Sequence, residues 1–207
     1  AHAVAGIGGT SKTTFICQVG IGAAIGRLPW RWPIERTGTA VLLLAEDTAE
    51  DVHRRIWTMA EAMNLSGQER ILVAERLLVF PLAGRNSRLL ASVGGELVET
   101  GLVDALIERL RAVPGELVFV GADPVIAYTE GNELDQTHQR RIGELWDRIA
   151  IELNACVLLS AHANKGLQNA EEIGSHSARG GGALTDAVRA EFTLRTMTKS
   201  EAQSFGI

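Results

Sequence analysis

The chain has 207 residues, 46% of them apolar and 22% charged, and its net charge at pH 7 is −5. This length allows one sizeable α/β domain or at most two small ones, and the composition is ordinary for a globular protein. The negative charge excludes a global basic field, so binding of nucleic acid must depend on local loops or on assembly. No apolar run approaches the roughly eighteen residues of a membrane span and no segment resembles a signal peptide, so no membrane partner is predicted.

Two cysteines, Cys17 and Cys156, lie within apolar runs. We expect both to be small buried side chains rather than a disulfide or metal ligands, which favours a reducing cytoplasm. The chain begins at Ala1, enters a predicted strand almost at once, and ends as abruptly at Ile207. We therefore expect a single domain over residues 1–207 that is truncated at both ends.

The most informative segment is the glycine-rich run at residues 6–13, which lies between a short predicted strand and a predicted helix. It matches the phosphate-binding pattern G-x-x-x-x-G-K-[ST] at every fixed position except Ser11, which replaces the last glycine. In such a loop, inward-pointing backbone N–H groups and the positive end of the helix surround phosphates. Lys12 is predicted to reach the outer phosphates, and the hydroxyl of Thr13 is predicted to ligate Mg²⁺.

This segment predicts a site for ATP and Mg²⁺. The predicted nucleotide-binding residues are Gly8, Gly9, Thr10, Ser11, Lys12, Thr13 and Thr14. The alternative is a plain glycine-rich turn between a strand at residues 3–5 and a helix at residues 13–25. Ser11 keeps that alternative open, because a position suited to glycine can require a positive φ or a close backbone approach.

Apolar runs alternate with segments of helical periodicity along the chain. This pattern predicts an α/β fold with a mostly parallel central sheet flanked by helices. The predicted strands are residues 3–5, 40–45, 77–81, 116–122, 156–161 and 190–196.

Three further segments have apolar residues at helical spacing, and we expect these stripes to face the core. The first begins with a capping box at Thr48 and Asp51, the second covers about residues 96–112, and the third about residues 135–153. The stripes are Val52, Ile56, Met59 and Met63 in the first helix, Leu102, Leu106 and Leu110 in the second, and Ile142, Leu145, Trp146 and Ile149 in the third.

Two stretches do not fit regular elements. Residues 28–33 form a proline-bounded excursion with two tryptophans, Trp30 and Trp32. We expect them to pack over a helix end, and stacking on a base is the alternative. Residues 163–182 are polar and rich in glycine, and a loop of that length is usually functional or disordered.

Acidic side chains follow two predicted strands, at the edge where open parallel sheets bind ligands. Glu46 and Asp47 follow the strand at 40–45, and Glu46 is predicted to orient and deprotonate a water that attacks the γ-phosphate. The alternative is that both begin the next helix, where acidic side chains favour the positive end of the dipole. Asp123 follows the strand at 116–122 and is predicted to hold Mg²⁺, directly or through water, as a Walker B carboxylate.

Two later side chains are candidates for coupling and for transition-state stabilisation. His162 follows the strand at 156–161 and is placed to sense the γ-phosphate, although a histidine satisfied by a backbone carbonyl fits equally well. Arg189 follows the long loop. An arginine directed into a neighbour's phosphate site stabilises transition-state charge, and a solvated surface arginine is the alternative.

In this ordered set of motifs the chain resembles the RecA-like ATPases, and most closely the RepA-type hexameric replicative helicases of broad-host-range plasmids. The similarity runs through nearly the whole chain, including residues 197–202. The motifs are the phosphate loop, Ala45-Glu46-Asp47, Asp123-Pro124, His162-Ala163-Asn164-Lys165-Gly166, Ala178-Arg179-Gly180 and Arg189.

The resemblance implies a role for each matching residue. By this resemblance, Lys12 and Thr13 bind phosphate and Mg²⁺, and Glu46 is the catalytic base. Asp123 is the Walker B carboxylate, and His162 is the γ-phosphate sensor. Arg189 matches an arginine finger that acts across a subunit interface in a ring. Lys165 and Arg179 flank the loop that faces single-stranded DNA in such motors. Two departures from the family's pattern are Ser11 and the small pair Gly121-Ala122 before Asp123.

The favoured function is an ATP-hydrolysing motor, a replicative DNA helicase that acts as a hexameric ring in plasmid or mobile-element replication. One alternative is a RecA-like or circadian-clock-type ATPase in recombination or protein remodelling. Another, suggested by Ser11, is a degenerate nucleotide-binding module with a regulatory role.

Overall fold

The computed structural model describes residues 1–30, 32–163 and 182–206. Its strands are β1 (His2–Gly6), β2 (Thr39–Leu44), β3 (Leu77–Pro81), β4 (Leu90–Val93), β5 (Glu96–Glu99), β6 (Leu117–Asp123), β7 (Cys156–His162) and β8 (Glu191–Leu194). Its helices are α1 (Lys12–Ile25), α2 (Ala49–Ala62), α3 (Gly67–Arg76), α4 (Leu102–Arg111), α5 (Gln136–Leu153), α6 (Ala183–Ala187) and α7 (Lys199–Ser204).

Six of the strands form one sheet in the order β3-β2-β6-β7-β1-β8, and every neighbouring pair is parallel. The strand that leads into the glycine-rich loop, β1, therefore lies between β7 and β8. One strand, β7, separates β1 from β6. This confirms the predicted α/β fold with a parallel central sheet, and it brings the carboxyl ends of all six strands to one edge.

Helices cover both faces of this sheet. On one face, α1, α2 and α3 bury apolar side chains such as Ile16, Val52 and Val73. On the other face, α4 and α5 bury their stripes around Trp146, which is 1% exposed. The full α5 stripe, predicted from spacing, is buried. Parallel strands covered on both faces read as continuous apolar runs, which is why these strands were visible in the sequence.

The small residues before Asp123 have a packing reason. A Cβ on Gly121 would lie 2.5 Å from Cγ2 of Ile16, so α1 packs directly on the backbone of β6 at this point. A bulky residue at position 121 would push α1, and with it the loop that precedes the helix, away from the sheet.

The predicted helix at residues 96–112 is wrong in its first third. Residues 90–99 form an antiparallel hairpin, β4 and β5, and α4 begins only at Leu102. The two-residue turn is Gly94-Gly95, and both glycines have positive φ, +62° and +91°. Two consecutive glycines between short strands are typical of a hairpin turn, and the predicted helix overlaps β5 because it was extended back from the leucines of α4.

The face that α4 buries also differs from the predicted stripe. Val103, Ile107 and Leu110 are buried, whereas Leu102 is 40% exposed. The short helix α3 was not predicted, although Ser66 and Glu69 form a capping box at its start. The capping box predicted at Thr48 and Asp51 is present in α2.

The two cysteines differ from each other. Cys17 is buried in α1, as expected, and burial raises the pKa of its thiol to about 12. The expectation of a buried Cys156 is wrong, because this residue begins β7 at the amino edge of the sheet and is exposed. Both thiols are free. Within the described ranges, no helix is both long and apolar enough to cross a membrane.

Candidate nucleotide-binding site

Four predicted site elements meet at the carboxyl edge of the sheet. The glycine-rich loop leaves β1 at Gly6, and the strand ladder pairs Gly6 with His162 at the end of β7. Asp123 ends β6 and pairs with Leu44, two residues before Glu46. The parallel topology thus places the loop, the two carboxylates and the histidine on one side of the molecule, as the strand-end argument predicts.

The loop is shaped by two residues with positive φ. Gly9 has φ +81°, and Ser11 has φ +64° and ψ +30°. Within the loop, Oγ1 of Thr10 donates a hydrogen bond to the carbonyl of Ile7 at 2.8 Å. No described atom lies within 4 Å of a Cβ placed on Gly8 or Gly9, so there is open space beside these two residues of the loop.

Ser11 occupies the left-handed conformation that a glycine would supply without strain. A non-glycine residue pays about 1–2 kcal/mol there, and glycine costs about 0.5–1 kcal/mol in chain entropy. We therefore expect Ser11→Gly to leave the free energy of unfolding unchanged or raise it by up to about 1.5 kcal/mol. Urea denaturation of the purified chain measures this difference.

Ser66→Gly is the matched control for that prediction. Ser66 has φ −63° and caps α3, so glycine relieves no strain there and removes a cap. This variant is expected to unfold at a lower urea concentration than the wild type. If Ser11→Gly lowered the urea midpoint by as much as Ser66→Gly does, the proposal that Ser11 is strained would be wrong.

Lys12 is the first residue of α1 and is only 8% exposed. Its Nζ donates to the carbonyl of Gly6 at 2.8 Å and to that of Ile7 at 3.1 Å. Burial lowers the pKa of this ammonium, and the nearby carboxylates of Asp123 and Glu46 act in the opposite direction. An ammonium has three donors, so two hold the loop and one remains for a phosphate oxygen.

Asp123 is 8% exposed and accepts a hydrogen bond from the hydroxyl of Ser160, a residue of β7 that is fully buried. Ser160 was not predicted from the sequence. The signal that could have found it is a single hydroxyl in the middle of an otherwise apolar strand. A buried carboxylate held by a hydroxyl donor is oriented, and its remaining oxygen stays available for a ligand.

Glu46 and Asp47 lie in different surroundings although they are adjacent. Oδ1 of Asp47 accepts from Nη2 of Arg55 in α2 at 3.0 Å. Glu46 is exposed, and in the described part of the chain it forms no ion pair. Since α2 begins at Ala49 and is capped by Thr48, Glu46 is not part of that helix, and the alternative role as a helix start does not fit it.

His162 is half-buried at the end of β7, opposite Gly6. The next residue, Ala163, donates its N–H to the carbonyl of Gly6 at 3.1 Å. That carbonyl also accepts from Lys12, so a single carbonyl joins the loop lysine to the segment that follows β7. Lys165 and Arg179, the predicted DNA-binding residues, lie outside the described residues.

Arg189 does not join this group. It precedes β8, and its backbone N–H donates to the carbonyl of Ala1 at the amino edge of the sheet. Leu194, at the other end of β8, is the residue level with Gly6. At about 3.3 Å per strand residue, the backbone of Arg189 is about 16 Å from that level. Its side chain is exposed and cannot reach the loop of its own chain.

Residues for a nucleotide and Mg²⁺ are therefore present and fit them. The loop has two positions with positive φ, a lysine with one N–H donor not used within the loop, and a threonine, Thr13, at the start of α1. Among the described residues, no cluster of three or more His, Cys, Asp or Glu forms a metal cage. A cage is not required, because Mg²⁺ at a nucleotide is held by one or two protein oxygens, phosphates and waters.

A phosphate loop that leads from a parallel strand into a helix, on a sheet with a buried aspartate at the end of a nearby strand, is the architecture of P-loop ATPase domains. The model of a family described as the AAA domain matches residues 1–168. The match spans well over half of the chain, and the chain belongs to this family. It includes Lys12, Glu46, Asp123 and His162 and ends before Arg189.

Proposed function

We propose that this ATPase domain is the motor of a replicative DNA helicase, which works in the cytoplasm as a hexameric ring on single-stranded DNA in plasmid or mobile-element replication. The observation that carries this proposal is the position of Arg189. This side chain lies at the edge of the sheet opposite its own phosphate loop, so a role in hydrolysis requires a second subunit. The ring assembly and the DNA partner are proposed because the sequence resembles that of ring helicases.

In this mechanism, the phosphate loop and Lys12 bind the β- and γ-phosphates. Thr13 and Asp123 would hold Mg²⁺, which would neutralise phosphate charge, and Ser160 fixes the orientation of Asp123. Glu46 is exposed to solvent and accepts a proton from the water that attacks the γ-phosphate. Arg189 of the neighbouring subunit stabilises the charge that develops during transfer.

His162 and the adjacent Ala163 connect hydrolysis to DNA. Since Ala163 and Lys12 share the carbonyl of Gly6, a shift of Lys12 when the γ-phosphate leaves changes the contacts of the segment after β7. Lys165 and Arg179 belong to the segment that follows β7 in the sequence. We propose that this segment carries the DNA contacts.

Lys12→Ala tests the site directly. We expect ATP hydrolysis to fall by at least about 100-fold, because the lysine charge stabilises the transferring phosphoryl group. The assay measures phosphate release with and without single-stranded DNA. The sample is one whose oligomeric size has been determined by calibrated gel filtration. Lys199→Ala is the control, since Lys199 is exposed on α7. Hydrolysis by Lys12→Ala within about threefold of wild type would contradict the assigned site.

A strand-displacement assay and electron microscopy with ATP separate the proposed helicase from other ATPases. Closed rings with directional unwinding support the proposal. Filaments, or hydrolysis without unwinding, favour the RecA-like or circadian-clock-type alternative. Nucleotide binding without hydrolysis, even with DNA present, favours the degenerate module that Ser11 suggests.

A further inference from the structure

An open surface groove of about 610 Å³ lies between the first turn of α1 and β8. We call it the aromatic groove. It is lined by Phe15, Trp30, Trp32, Phe192 and Leu194, with Glu191 and Thr193. The lining comes from α1, from the excursion after α1, and from β8.

Four aromatic rings form the wall of this groove. Trp30 stacks on Phe15 with ring centroids 5.2 Å apart and planes 9° apart. Trp32 meets both of those rings edge-on and lies 5.4 Å from Phe192. Because Trp30 stacks on Phe15 in the first turns of α1, the expected packing on a helix is confirmed for this tryptophan. Trp32 differs, because it remains 47% exposed.

The aromatic groove lies near the phosphate loop, at the first turn of α1 and at the end of β8. Phe15 follows Lys12 by three residues on the same helix. Leu194 pairs with Gly6, and its carbonyl oxygen would lie 2.9 Å from a Cβ placed on Gly6. A ligand held by its phosphates in the loop therefore has the groove as its neighbouring surface.

Packing alone does not account for both tryptophans. Nε1 of Trp30 is buried and has no acceptor within the part of the chain that the structure describes. A phenylalanine at this position would fill space without a buried N–H, which carries a desolvation cost. Indole rings offer instead the broadest face for stacking.

We propose that the aromatic groove binds the purine base of the nucleotide whose phosphates occupy residues 6–13, with Trp32 as the stacking face. This inference rests on the proposed nucleotide site. A purine is favoured over a pyrimidine because two fused rings cover more of an indole face. Stacking of a base on an aromatic side chain contributes enough to change affinity by about fivefold to 150-fold.

Trp32→Leu and Trp32→Phe test the proposal as a pair, with Trp57→Leu as the matched control. Leucine keeps an apolar side chain against Phe192 but removes the ring, and phenylalanine keeps a ring. Trp57 is 59% exposed on α2, beside Arg70 and away from the groove. The affinities of MgADP, MgCDP and Mg-tripolyphosphate are measured by titration calorimetry, and the unfolding midpoint of each variant is checked by circular dichroism.

Trp32→Leu is expected to weaken MgADP binding about tenfold or more and to narrow the preference for ADP over CDP. Binding of tripolyphosphate should stay within about twofold, and Trp32→Phe should recover most of the ADP affinity. Trp57→Leu should change none of these. Equal ADP affinity of Trp32→Leu and wild type overturns the inference and leaves the phosphate site intact.

Two other outcomes also overturn it. A loss of single-stranded DNA binding by Trp32→Leu with ADP affinity unchanged would assign the groove to DNA instead. If the wild type bound neither MgADP nor tripolyphosphate, the proposed ATPase function and this inference would both be wrong. Because tripolyphosphate reports only on the loop, the two failures are distinguishable.

Discussion

Replacing Arg189 with alanine is expected to lower the turnover of ATP by about 10³-fold or more and to leave the affinity for nucleotide within about twofold of wild type. An arginine that meets a neighbour's phosphates acts mainly on charge that develops in the transition state, so kcat falls and ground-state binding does not. Phosphate release at saturating ATP measures the first quantity, and titration with a non-hydrolysed analogue measures the second. Arg109→Ala, at an exposed position on α4, is the control.

A mixing experiment tests whether Arg189 acts between subunits. Arg189→Ala subunits keep an intact phosphate loop, and Lys12→Ala subunits keep an intact Arg189. In an equal random mixture, about a quarter of the interfaces of a closed ring combine the two intact halves. We expect hydrolysis to reappear on mixing at roughly that fraction of the wild-type rate. An inactive mixture that still forms mixed rings would contradict an arginine supplied by the neighbour.

Glu46→Gln is the second variant with a large expected effect. The amide keeps the shape of the side chain but cannot accept a proton from the attacking water, and a general base contributes about 10²–10⁴-fold. We expect kcat to fall within that range, with nucleotide affinity and assembly unchanged. Single-turnover hydrolysis by the assembled protein is the measurement, because it separates chemistry from product release.

Asp47→Asn and Glu50→Gln are the controls for Glu46. Asp47 is bound to Arg55, and Glu50 is an exposed residue in the first turn of α2. We expect both variants to keep kcat within about threefold of wild type, because neither carboxylate is placed to act on the water. If Asp47→Asn were the inactive variant and Glu46→Gln the active one, the catalytic base would be Asp47.

The sequence predicts the positions of the candidate site residues better than it predicts the periphery of the fold. Lys12 and Ser11 belong to a contiguous motif, and Glu46, Asp123 and His162 each follow a short apolar run that is typical of a buried parallel strand. Local spacing is enough to find such residues. The hairpin at residues 90–99 was missed because the predicted helix was extended back from the leucines of α4 over β5, although Gly94-Gly95 indicates the turn.

Other features could not be predicted because they depend on strands that are distant in sequence. Ser160 meets Asp123 only because β7 lies beside β6. The aromatic groove exists because β8 places Phe192 beside the helix that carries Phe15. The exposure of Cys156 follows from its position at the amino edge of the sheet, and its apolar neighbours in the chain give no sign of that edge.

Residue order and periodicity were thus sufficient to determine the phosphate loop, the acidic strand ends and the α/β class, since each depends on neighbours within a few residues. Strand order decided the rest. It joined four strand ends into one candidate site and left Arg189 about 16 Å along β8 from the level of the loop. The physical reason is that a parallel ladder aligns strands by hydrogen bonding across the sheet, and linear spacing carries no information about which strands become neighbours.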